Sequence, residues 1–89
     1  MHPISSGPEP LPPTRADADL ARRVARRLTA ELPAPDKRIV VEAQNRVIIL
    51  EGVVSTARSR ATAHRLAWLT AGVADVSNRL TVTGAEAGP

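Results

Sequence analysis

The strongest constraint on this chain is what it lacks for packing: there is no Phe, Tyr or Cys, and Trp68 is the single tryptophan, so any core must be built from Leu, Val, Ile and Ala. Disulfides, thiolate zinc sites and cysteine nucleophiles are excluded, and stability rests on packing alone or on a partner surface. At 89 residues the chain has room for one small domain and little for a large enzyme cleft. Its longest apolar run, Val47-Ile48-Ile49-Leu50, is far short of the roughly 18 residues a membrane-spanning helix needs.

Local composition divides the chain into three parts. Residues 1–14 contain Pro3, Pro8, Pro10, Pro12 and Pro13 among Ser and Gly, with nothing to bury, and read as a disordered proline-rich arm. Residues 84–89 read as a flexible tail, which leaves a foldable unit at 15–83. Residues 1–14 also lack the basic start and apolar stretch of a secretory signal, so a cytoplasmic product, at most peripheral to a membrane, is expected. All twelve basic residues fall between Arg15 and Thr83, against seven acidic ones, a balance of +5 there. Eleven of the twelve are arginine, whose planar fork suits phosphate and carboxylate, although a genomic bias toward Arg would produce the same excess.

Hydrophobic periodicity then gives the elements. Thr14-Arg15-Ala16-Asp17 resembles a capping box, with Asp17 and Asp19 placed where a helix N-terminus favours negative charge. From there Leu20, Ala21, Val24, Ala25 and Leu28 share one arc, opposite Arg22, Arg23, Arg26 and Arg27, which predicts an amphipathic helix ending before Pro33. Spacing i,i+4 would pair Asp19 with Arg23 and Arg27 with Glu31. From Lys37 the period becomes two. A tight Gln44-Asn45 connection predicts a hairpin with Ile39 opposite Leu50, Val41 opposite Ile48, Val40 opposite Ile49 and Arg38 opposite Glu51. Gly52 breaks the strand pattern, Ser55 or Thr56 can cap a second helix running to about Ala71, Gly72 would stop it, and Val76–Val82 supplies a third strand. Helix, strand, strand, helix, strand makes an α+β unit, αββαβ, in which both helices must cover one face of the sheet to bury their stripes.

These residues resemble a known family. Ile48, Leu50, Gly52 and Val54, then a helix, then Gly72, Val73, Val76, Asn78, Leu80 and Val82 match the pattern of the BON domain, over about residues 16–83. The resemblance implies a three-stranded mixed sheet backed by two helices. It also implies a non-catalytic module that associates with phospholipid interfaces and is often found in exported or envelope proteins. Two departures stand out: no export signal is visible, and Asn45 and Arg46 occupy a turn where many members carry Gly. Leu50, Gly52, Gly72, Val73, Val76 and Leu80 are expected to be structural. Gly52 would relieve crowding where strand meets helix, or let a ligand approach the backbone.

The second helix is the richest in binding chemistry. Arg58, Arg60 and Arg65 give it a charge of +3 with no acidic partner. With Ala63, Leu66, Ala67 and Thr70 toward the sheet, Arg58, His64, Arg65, Trp68 and Leu69 point outward. Arginines flanking an outward Trp suit an anionic phospholipid surface, with Arg58, Arg65, Trp68 and Leu69 as the attaching residues. The plainer reading folds Trp68 over the edge of a small core or onto the proline arm. The other sheet face offers Val40, Val47 and Ile49 with nothing to cover them, a candidate surface for a partner protein or a homodimer. Nucleic acid is disfavoured, since no strand carries aromatics for base stacking and no Gly-x-x-Gly loop is present. Catalysis is disfavoured too: His64 has no carboxylate or second His at ligand spacing, and Ser55, Ser59 and His64 lack a local acidic partner. No metal or cofactor is called for.

Overall fold

A computed structural model describes residues 14–36 and 38–83; the expected arm and tail lie outside the described residues, apart from Thr14. Thr14 caps the first helix, α1 (Arg15–Glu31), its Oγ1 accepting from the Asp17 N–H at 3.0 Å. Leu20, Val24 and Leu28 are buried, Ala21 and Ala25 are half-buried and the arginines are exposed, as the apolar arc requires. A short 3-10 turn, Ala34–Asp36, leads into β1 (Ile39–Gln44) and β2 (Val47–Val54). Thr56 caps α2 (Ala57–Trp68), and β3 (Asp75–Val82) completes the chain order αββαβ.

Strand order is β1-β2-β3, with β1 antiparallel and β3 parallel to β2, so α2 is the crossover between two parallel neighbours. Both helices lie on one face, α1 chiefly over β1 and α2 chiefly over β3. Between the layers Leu20, Val24, Leu28 and Leu32 meet Ile48, Leu50, Val54 and Leu80, and Ala63 and Ala67 let α2 approach closely. A core this aliphatic depends on interdigitation, and Val24, Ile48, Ala63, Leu50 and Ala67 are indeed fully enclosed.

The hairpin differs from expectation by two residues. Its turn is Asn45-Arg46, with Gln44 opposite Val47, Ala43 opposite Ile48, Val41 opposite Leu50, Val40 opposite Glu51 and Ile39 opposite Gly52. A slip of two leaves every side chain on its expected face, so hydrophobic alternation cannot distinguish the registers. What decides is the turn. Asn45 and Arg46 adopt φ of 50° and 66°, as a two-residue type I′ connection demands, and the Asp17 carboxylate accepts both of their N–H groups at 2.9 and 3.0 Å. Asp17 therefore serves the hairpin as well as its own helix.

Gly52 does not end β2, which runs on to Val54. Its φ is +135°, and a Cβ there would stand 2.7 Å from the Arg38 carbonyl oxygen, so the crowding it relieves is strand against strand. Nor does Gly72 stop α2, whose last helical residue is Trp68. Thr70 bends back, Oγ1 bonding the Leu66 carbonyl at 3.0 Å, and Gly72, at φ +100°, forms the turn closed by Val73 N–H to Thr70 O at 3.2 Å.

Candidate functional site

On α2 the structure places four of the singled-out residues near one another on the exposed side. Arg58 and Arg65, two turns apart, and Leu69, one turn beyond, share an outward ridge, with Trp68 beside it. Trp68 is 43% exposed and Leu69 61%, so the sole aromatic residue is not absorbed by the core. His64 is half-buried rather than outward. Arg60 leaves the set: its Nε donates to the Leu80 carbonyl at 2.9 Å, while its own carbonyl accepts from Asn78 Nδ2 at 3.1 Å. With Leu80 N–H bonded to Asn78 Oδ1 and Val76 N–H to Asp75 Oδ1, the outer edge of β3 is largely blocked against a further strand.

Charge on α1 is arranged differently from the i,i+4 expectation. Asp19 pairs with Arg22, and Arg23 instead crosses to the end of α2, Nη1 donating to the Ala71 carbonyl at 2.9 Å. Sequence spacing offers both partners for Asp19, so nothing local could have revealed the contact.

On the open sheet face Val40, at 56% exposure, and half-buried Val47 and Ile49 do lie together, joined by Val53 at 50%. They are interleaved with charge. Glu51 stands between Val40 and Arg79 and pairs with Arg79 at 3.4 Å, and Glu42 flanks Ile49. Leu50 and Leu80 are buried, with Val73 and Val76 packed against the core.

Two buried carboxylates were not anticipated as such. Asp36 accepts from Ser55 N–H at 2.7 Å, Ser55 Oγ at 2.9 Å and Ser59 Oγ, tying the 3-10 turn to the start of α2. Burial pushes its carboxyl up, but the bonds from Ser59 and Ser55 outweigh this and leave it below the ordinary value. The N–H groups of Arg46 and Asn45 likewise hold Asp17 low. So Ser55 and Ser59 do have an acidic partner, but one that only accepts, and no hydrogen bond links either to His64 among the described residues. A carboxylate held ionised by three donors is a poor base, and this one serves to tie the 3-10 turn to the segment that opens α2. No three of the described His, Cys, Asp or Glu side chains gather where they could hold a metal ion.

Mixed sheet, two-helix layer and glycine-dependent β2 agree with the BON domain family, whose sequence pattern matches residues 16–84. The chain belongs to the BON domain family. Among curated proteins no match is found. BON domains are generally non-enzymatic modules of membrane or protein interaction, and the surface here gathers arginines and exposed apolar side chains. None of the described helices is long and apolar enough to cross a membrane.

Proposed function

We propose that this BON domain attaches peripherally to anionic phospholipid headgroups through Arg58, Arg65, Trp68 and Leu69, at the cytoplasmic leaflet where anionic lipid is concentrated. The reading rests chiefly on one observation: Trp68 and Leu69 stay exposed at the end of an arginine-bearing helix whose opposite face is fully occupied by the core. Each basic residue near an anionic leaflet contributes about 1 kcal/mol, and indole sits favourably at headgroup depth. The resulting affinity is modest and salt-sensitive.

Trp68 is its own reporter, being the sole tryptophan. Vesicles of phosphatidylcholine containing phosphatidylglycerol should shift its emission to the blue and carry the protein with them on flotation, whereas phosphatidylcholine alone should do neither. Equal binding to both, or to neither, sinks the reading.

A second reading uses the open sheet face as a protein-interaction or homodimer surface, favoured by the exposure of Val40 and Val53 there. The charges interleaved with them favour a small or transient contact over an obligate one. Sedimentation that finds a monomer at high concentration, unchanged by Val47→Lys, would count against self-association.

A further inference from the structure

The two helices run past each other in opposite directions. Near its start α1 meets the end of α2, with Leu20 Cδ1 and Arg23 Nη2 at 3.5 and 3.8 Å from where a Cβ on Gly72 would stand. Beyond its end Asp36 meets Ser59 in the first turn of α2. Each helix has two shoulders. On α1, Ala18 and Ala21 border a groove of about 260 Å³ with Val41 and Ala43 of β1, so the opposite shoulder, Arg23 and Arg27, faces α2. On α2, Arg60 is bound to β3, so the outward ridge of Arg58, Arg65 and Leu69 lies to the other side of the helix and borders the α1 side. Arg27 lies one turn, about 6 Å, along α1 from Arg23, and because the helices are antiparallel this takes it from the Ala71 end toward Arg65, which precedes Ala71 in the chain.

We propose that the furrow between α1 and α2 is a headgroup seat in which Arg23, Arg27 and Arg65 converge on a lipid phosphate beside Leu69. The inference rests on the lipid reading of α2 and makes the attaching surface a two-helix one. Arg23 is preoriented. Its Nη1 is pinned to Ala71, which fixes the guanidinium plane and leaves the remaining donors for a phosphate oxygen, so less side-chain freedom is lost on binding. Its neighbours are not equivalent: Arg22 is paired with Asp19, and Arg26 lies on the solvent side of α1. Asp19, one turn before Arg23 on the same side of α1, is neutralised by Arg22, and Glu31 stands at the far end of the helix, two turns beyond Arg23.

The test compares equal charge losses on one helix, in the full chain, with phosphatidylcholine vesicles containing phosphatidylglycerol. Arg23→Gln should weaken binding about fivefold, the loss of one well-placed basic residue, and Arg26→Gln less than about twofold. Equal losses would mean diffuse attraction and overturn the seat. Arg23→Lys keeps the charge but not the fork, and undiminished binding by this variant would also overturn it. If Arg23→Gln unfolds for want of the Ala71 contact, Arg27→Gln answers instead, since the Arg27 side chain has no hydrogen-bond partner among the described residues; unchanged binding there removes the proposal. Inorganic phosphate at constant ionic strength should not release the protein from vesicles, and release would identify a soluble phosphate as the ligand. Wild-type protein that ignores anionic vesicles defeats both readings, whereas sensitivity to Arg65→Gln but not to Arg23→Gln or Arg27→Gln defeats this one alone.

Discussion

Asp36 stands between Pro35 and Lys37 with no neighbour to suggest burial, yet it is 1% exposed. Its partners are 19 and 23 residues further on, so only the folded chain reveals why a charge is tolerated there. The same holds for Asp17, legible as a helix-start residue but not as the acceptor for a turn 28 residues away. Both carboxyls have folded pKa values below the ordinary one, so the native state binds fewer protons than the unfolded chain. Their stabilisation is complete above the unfolded value of about 3.9 and is lost as pH falls through the lower folded values. The melting temperature should therefore decline steeply below about pH 4. Asp36→Ala strands two serine hydroxyls and a half-buried N–H, a cost of about 3 kcal/mol at neutral pH, and removes part of that acid dependence. Thermal melts from pH 7 to pH 3 check both; a variant with the wild-type slope would refute the assignment.

Among the elements, the faces set by period and the helix starts set by Thr14 and Thr56 were readable, and the hairpin turn was not. Alternation placed Ile39, Val41, Ile48 and Leu50 on the core face without revealing which residues form the turn. Arg46 sits at φ 66°, a region that disfavours residues with a Cβ, and its amide rather than its side chain is what Asp17 holds. Arg46→Gly keeps that hydrogen bond and relieves the strain, and should stabilise the domain by about 0.5 to 1 kcal/mol in urea denaturation. The two structural glycines should separate in the same assay. Gly52→Ala combines a disallowed φ with a Cβ at 2.7 Å from a backbone oxygen and should cost about 3 kcal/mol or more. Gly72→Ala meets only ordinary contact, at 3.5 Å from Leu20 Cδ1, and should cost about 1 kcal/mol. Equal costs would show that the Arg38 carbonyl yields freely.

Across the whole molecule the helical layer carries eight of the arginines, while Asp17 and Asp36 are buried beneath it and contribute little to its outer field. The open sheet face instead mixes Glu42, Glu51 and Asp75 with Arg79. The outward ridge of α2 was readable from spacing; the polarity of the molecule was not, because it depends on which charges are buried and which cross between helices. Sheet and helices together are thicker than the Debye length of about 10 Å at 0.1 M salt, so a membrane facing the helices is screened from the far face. Oriented attachment therefore predicts unequal responses to equal charge changes. Arg65→Gln should lower affinity for anionic vesicles several-fold, whereas Val40→Lys on the sheet face should change it by less than about twofold, and the Arg65 effect should shrink as the Debye length falls to about 3 Å at 1 M salt. If Val40→Lys raises affinity as much as Arg65→Gln lowers it, net charge governs binding and no face is preferred. If it does not, the sheet face remains exposed while the helices hold the membrane, and one small domain can present two surfaces at once.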